Sequence, residues 1–168
     1  NPVEQEGTYH LPEAQVDRFM MKIRVSYPSA LEELEIVKRV TTEYDFEPEV
    51  VLEAETIERM QSIVRRVPVA DHVYEYAIGL ARRSRPGTIR ENTFVNEMVS
   101  WGAGPRASIY LLLAAKARAI LQGRFHATME DVNAVALPIM RHRVLPTFNA
   151  ESAGYTSDEI IRQIVKKG

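Results

Sequence analysis

The 168-residue chain is 45% hydrophobic and 26% charged, enough to bury a core in about one domain, and its 21 basic and 23 acidic residues leave a formal net charge of -2. That balance excludes a chain-wide field for nucleic acid or anionic lipid, so any basic function is local. With no cysteine the chain forms no disulfide and no thiolate metal site, and no apolar run reaches the ~18 residues needed to span a bilayer, so the cytoplasm is the expected compartment.

The first elements differ in kind from the rest. Asn1-Pro2 is a turn signal, Pro12 to Asp17 is a short helical stretch, and Phe19 to Val25 carries apolar residues on both faces. Runs of that kind belong to sheets covered by helices on both sides, so a strand is expected here, with its partner strands in sequence lying before Asn1. Pro28-Ser29 followed by Glu32 is a capping box, opening a helix from about Ala30 to Thr42. Glu43 to Glu55, acidic and broken by Pro48, reads as a connection.

From there the pattern is helical. Ile57, Met60, Val64 and Val67 mark one helix, ended by Pro68; Val73, Tyr76, Ala77, Leu80 and Ala81 mark the next, ended by Arg85-Pro86-Gly87. Phe94, Val95, Met98 and Val99 give a fourth, stopped by Gly102, and Ile109 to Ile120 a fifth, stopped by Gly123. Thr128 and Asp131 open a sixth, expected to kink or break near Pro138, because proline removes a donor and crowds the preceding turn. Thr156 and Glu159 box the start of a final helix carrying Ile160, Ile161, Ile164 and Val165. Trp101, Tyr110 and Phe125 are expected to pack between helices.

The sharpest local chemistry is Gly102-Ala103-Gly104-Pro105-Arg106. Gly104 suits an N-cap and Pro105 the first helical position, which puts Arg106 in the first turn of a helix, where the macrodipole disfavours a cation. Two readings stand: Arg106 and the exposed amides clamp an anion, or the side chain snorkels to solvent. Arg18, beside the expected strand, either reaches a phosphate across a subunit boundary or pairs with Asp17 or Glu13. Asn1 has the donor and acceptor needed to orient a water or bind a phosphate oxygen, and is otherwise a turn residue. His10, His72, His126 and His142 lack metal-ligand spacing, and Arg65-Arg66, Arg82-Arg83 with Arg85, and Arg141-His142-Arg143 read as solvated helix ends rather than a nucleic-acid platform.

These residues carry a resemblance. Asn1-Pro2-Val3-Glu4-Gln5-Glu6-Gly7-Thr8-Tyr9, with Leu11-Pro12-Glu13-Ala14-Gln15-Val16-Asp17-Arg18-Phe19, resembles the sensor 1 and arginine-finger block of the MoxR family of AAA+ ATPases. Gly102 to Ala107 resembles that family's sensor 2, and Ala136 to Arg143 its closing lid motif. His10 stands where the family usually has Pro, and Gly104 where it often has Ser. The resemblance implies that Asn1 positions the attacking water, that Arg18 is an arginine finger on a neighbouring protomer's ATP, and that Arg106 senses nucleotide. It further implies a mainly α fold: a helical lid at 29–168 preceded, at 1–28, by the last strand and helix of an α/β P-loop core. The Walker motifs that hold ATP and Mg²⁺ are then expected before Asn1, and a chain without them should neither hydrolyse nor tightly bind ATP. A homo-oligomeric, hexameric ring with chaperone-like or cofactor-insertion work, beside proteins carrying a von Willebrand A domain, is the implied setting, with no membrane or nucleic-acid partner. The competing class is a stand-alone helical interaction module without nucleotide binding.

Overall fold

The computed structural model describes residues 11–42 and 47–166. In chain order its elements are α1 (Glu13–Val16), α2 (Ala30–Thr41), α3 (Ala54–Arg66), α4 (Asp71–Arg83), α5 (Thr93–Met98), β1 (Val99–Trp101), α6 (Pro105–Leu121), α7 (Met129–Met140), β2 (Leu145–Pro146), α8 (Phe148–Ser152) and α9 (Ser157–Lys166). The fold is mainly α, and its residues fall into two compact units: Ile23–Ser62 by itself, and the described residues up to Lys22 together with those from Ile63 onward.

The larger unit holds the core. Helix α6 is apolar nearly all round and packs chiefly on α7 and α4, while α9 closes against α7. Leu80, Leu111, Ile139, Met140, Ile160 and Ile161 are fully buried there, and alanines at 107, 114, 115 and 119 let neighbouring helices approach α6 closely. At the end of α6, Gly123 adopts φ 71°, the left-handed conformation that stops the helix.

Local signals set the helix starts. Ser29 and Glu32 form the expected reciprocal box, as do Thr156 and Glu159, and Gly104 with Pro105 begins α6. At Thr128 the box is reinforced from elsewhere: buried Asp131 accepts from the Thr128 amide at 3.0 Å, from Arg124 at 2.7 Å and from Arg118 at 2.5 Å. The Arg124 hydrogen bond outweighs burial and, with those from Thr128 and Arg118, holds the Asp131 carboxyl far below the ordinary carboxylate range.

Several expectations need correction. Phe19 to Val25 forms no strand: among the described residues the one ladder is β1 with β2, antiparallel, with Val99 opposite Pro146 and Trp101 opposite Leu145. A strand exists only by pairing its backbone, and here the backbone groups go elsewhere, the Lys22 amide donating to the Pro138 carbonyl at 2.8 Å. Met20 and Met21 pack on the helical core, whereas Ile23, Val25 and Tyr27 are exposed. The helix expected through Val99 ends at Met98, where β1 begins. Helix α7 runs unbroken through Pro138, since the chain leaves the helix after Met140 and little helix follows the missing donor. Trp101 and Phe125 lie at the surface, and only Tyr110 is partly buried against the core.

The smaller unit has a different character. Helix α2, and α3 as far as Ser62, have no buried residue, and α2 exposes Leu31, Leu34, Ile36, Val37 and Val40.

Candidate functional site

The start of α6 is fixed by a loop that tolerates no substitution at one point. A Cβ on Gly102 would stand 2.6 Å from the Arg85 Cα, so the backbone of 84–85 passes where any side chain would have to be. Buried Ser84 accepts from the Ala103 amide at 2.9 Å, and Arg85 donates to the Ala103 carbonyl at 2.8 Å. Arg85 is therefore a loop clamp, not a solvated helix end. Gly104 has open space where its Cβ would be, so a serine there would fit.

Arg106 sits in the first turn of α6 with its side chain 47% exposed, and it neither snorkels nor stands free. Its guanidinium donates to Asp17 Oδ2 at 2.6 Å. That carboxylate supplies the negative charge that the helix N-terminus and the arginine both favour. Asp17 uses its other oxygen, Oδ1, to accept from Arg143 Nε at 2.8 Å. Burial alone would raise the Asp17 carboxyl, but the hydrogen bonds from Arg106 and Arg143 prevail and hold it below its ordinary value.

Arg143 is the anchor of this arrangement. With a side chain 1% exposed, it reaches the carbonyls of Asp17 at 2.7 Å, Phe19 at 2.6 Å, Met20 at 3.3 Å and also Ile139, and it lies over the Tyr110 ring at 5.1 Å. Such a planar fork with five donors can satisfy several acceptors at once, which a lysine cannot. His142 Nε2 sits 3.0 Å from the Phe19 carbonyl; a carbonyl only accepts, so that nitrogen carries the proton. Burial and the neighbouring Arg143 charge lower the His142 pKa, keeping the ring neutral. Arg141 adds a hydrogen bond to the Lys22 carbonyl at 3.1 Å and an ion pair to buried Asp158 at 3.2 Å. The run 141–143 is thus a buried clasp on 17–22, contrary to the solvated helix end expected of it.

Of the residues singled out by sequence, the structure brings Arg106 and the neighbour of Arg18 together. Arg18 itself is exposed, its carbonyl accepts from the Tyr110 hydroxyl at 3.1 Å, and its guanidinium pairs with neither Asp17 nor Glu13. Asn1 lies outside the described residues. Beside the α6 N-terminus a cleft of about 360 Å³ is lined by Glu13, Asp17, Trp101, Gly104, His142 and Arg143. Among the described residues no group of His, Asp and Glu side chains is placed to hold a metal ion, and no helix is long and apolar enough to cross a membrane.

A helical bundle with an arginine-bearing helix start, clasped to the segment before it, has the form of an AAA lid. Residues 91–164 match the family model of the AAA lid domain, and residues 1–21 match that of the ATPase family associated with various cellular activities (AAA).

The relatives narrow the class. The chaperone MoxR1 of Mycobacterium tuberculosis is 36% identical over 168 residues, covering 98% of this chain and 42% of that protein. Protein MoxR of Methylorubrum extorquens is 34% identical across 95% of this chain and 50% of its own length. A crystal structure from Cytophaga hutchinsonii, described as that of a candidate ATPase, superimposes with a TM-score of 0.90 at 34% identity, over 100% of this chain and 51% of that one. Together these matches support assignment to the MoxR family of AAA+ ATPases, in the C-terminal part of that architecture. The chain spans about half the length of the relatives it matches.

Proposed function

We propose that the chain provides the sensor and lid portion of an ATP-hydrolysing, MoxR-type AAA+ ATPase. In this reading 1–28 closes the α/β core and 29–168 is the lid, and ATP with Mg²⁺ is held mainly by P-loop and Walker B groups outside these residues. Asn1 orients the attacking water. Arg18 projects from the clasped segment toward ATP on an adjacent protomer of a homo-oligomeric, hexameric ring. Arg106, with the amides at the start of α6, meets the anionic end of a nucleotide. The group fits there: a half-exposed guanidinium at a helix N-terminus already holds a carboxylate in the position an anionic oxygen would take. The wider work would be chaperone-like remodelling or cofactor insertion in the cytoplasm, with von Willebrand A domain proteins as partners.

The single observation carrying this reading is the position of Arg106, a cation in the first helical turn whose partner, Asp17, immediately precedes Arg18. The exposed Ile23 and Val25 favour it over a stand-alone interaction module, which would cover its own apolar run. The test is Arg106→Ala in the full-length protein. Nucleotide affinity or turnover should change while the protein still assembles; unchanged affinity, turnover and oligomeric state would remove Arg106 from the site.

A further inference from the structure

Arg83 is not the solvated helix end that its place in the sequence suggests. It closes α4 and folds back along that helix: Nη1 lies 3.5 Å from where a Cβ on Gly79 would stand, and the guanidinium carbon lies 5.6 Å from the centre of the Tyr76 ring. Tyr76 is itself fixed, its hydroxyl donating to Asn133 Oδ1 at 2.6 Å. The other edge of the fork, Nε with Nη2, is buried, and neither nitrogen has a hydrogen-bond partner. Buried donors are almost always satisfied, so such an edge calls for an acceptor.

Arg83 also lines a space of about 20 Å³ between helices. Its other walls are Asn92, Phe94 and Val95 at the start of α5 and Gln163 and Ile164 on α9. We propose that this space and the Nε–Nη2 edge of Arg83 form a site for a small monovalent anion of the size of chloride.

Size, charge and geometry each narrow the ligand. The volume holds about one water-sized body, which excludes sulfate, phosphate and any nucleotide group. None of the lining residues is acidic, and among the described residues no ion pair holds Arg83. A water would accept from the fork and still leave its charge without a counter-charge, which is costly away from solvent; a halide supplies both. Nε–H and Nη2–H point the same way, the arrangement with which arginine grips an anion side-on. Asn92 uses Oδ1 to accept from the Val95 amide at 3.4 Å, which leaves its NH₂ group as a donor, and Gln163 carries another. Val95 and Ile164 are 1% and 3% exposed, so the walls keep bulk water from competing. Held there, the anion joins groups from α4, α5 and α9 and ties the last helix to the bundle.

The test is local amide exchange over 157–166 in the full-length protein, comparing wild type with Arg83→Met, which keeps an unbranched apolar stem and removes the charge. Chloride is raised at constant ionic strength, with gluconate, too large for the space, making up the balance. A tenfold rise should slow wild-type exchange by about fourfold or more and leave Arg83→Met unchanged. Crystals of the full-length protein grown in bromide should show an anomalous peak beside Nε and Nη2. No slowing in wild type would mean that water alone meets the edge, and equal slowing in both proteins would mean a general salt effect with an adventitious ion only; either overturns the site. Should Arg83→Met fail to fold, wild-type slowing together with the bromide peak upholds it, and the absence of that peak overturns it whatever the exchange rates.

Discussion

The two compact units use the same kind of local signal and end in opposite states. Helix α2 in Ile23–Ser62 and helix α9 in the larger unit each begin with a complete capping box, Ser29 with Glu32 and Thr156 with Glu159. Both are amphipathic. Yet α9 buries Ile160, Ile161 and Ile164, whereas α2 buries nothing and leaves Val40 78% exposed. Caps and periodicity decide where a helix forms; only an opposing apolar surface converts the helix into stability. The larger unit has that surface in α4, α6 and α7, and the smaller has none of its own among the described residues.

The largest effect that would break this contrast is loss of the clasp. Arg143→Ala takes a donor from the part-buried carbonyls of Asp17 and Met20 and the buried carbonyl of Ile139 and leaves half of the Asp17 charge unpaired, so it should destabilise the larger unit by about 3–5 kcal/mol and release 17–22 to rapid amide exchange. Arg143→Lys should recover little of this, since one ammonium cannot fork across those acceptors. Denaturant unfolding that finds Arg143→Ala within 1 kcal/mol of wild type, a threshold set by the ~0–1 kcal/mol value of surface pairs, would mean that the clasp is superficial.

Next in size comes the acid response of the same clasp. His142 is neutral when folded and its pKa is lowered by burial and by Arg143, so the unfolded chain takes up the proton first. Stability is therefore full above the ordinary histidine value of about 6.5 and declines as pH falls below it, levelling off once the folded ring also protonates. Asp17, whose folded pKa is also lowered, contributes its loss only further down, below the ordinary carboxylate range. His142→Gln should remove the upper part of that decline; an unchanged pH profile would show that the ring protonates without cost.

The smallest effect sharpens the comparison directly. Thr156→Ala should cost about 1 kcal/mol and lower the melting temperature by a few degrees, because the cap it removes supports a packed helix. Ser29→Ala removes an equivalent cap and should reduce helicity while leaving the main melting transition where it was. Equal shifts from the two substitutions would contradict the independence of the units.

What the sequence disclosed follows the range of the interaction. Caps at Ser29, Thr128 and Thr156 and the Gly104-Pro105 helix start were readable because donor and acceptor lie within a few residues. Arg106 was readable as an anomaly, a cation at the wrong helix end, but its partner was not, since Asp17 stands 89 residues away along the chain. The same separation hid the Arg143 clasp, which spans 126 residues and looks locally like a basic helix end. Strands β1 and β2 were too short to show any alternation, and Gly102 read as a helix stop when its role is to let the 84–85 backbone pass. The apolar run at 19–25 forms no strand, because apolar residues on two faces do not say whether the cover is a sheet layer or, as for Met20 and Met21, a helical bundle.

Arg18, carried on the clasped segment, is the residue proposed to work on ATP, and removing its side chain asks whether it does. ATP turnover of the full-length protein should be measured with Arg18→Ala against wild type, alongside nucleotide affinity of the isolated protomer. A fall in turnover of about a thousandfold or more with affinity preserved is the predicted result, the scale known for arginine fingers acting in trans. Turnover equal to wild type would contradict the claim and leave the clasp as a device for holding the lid alone.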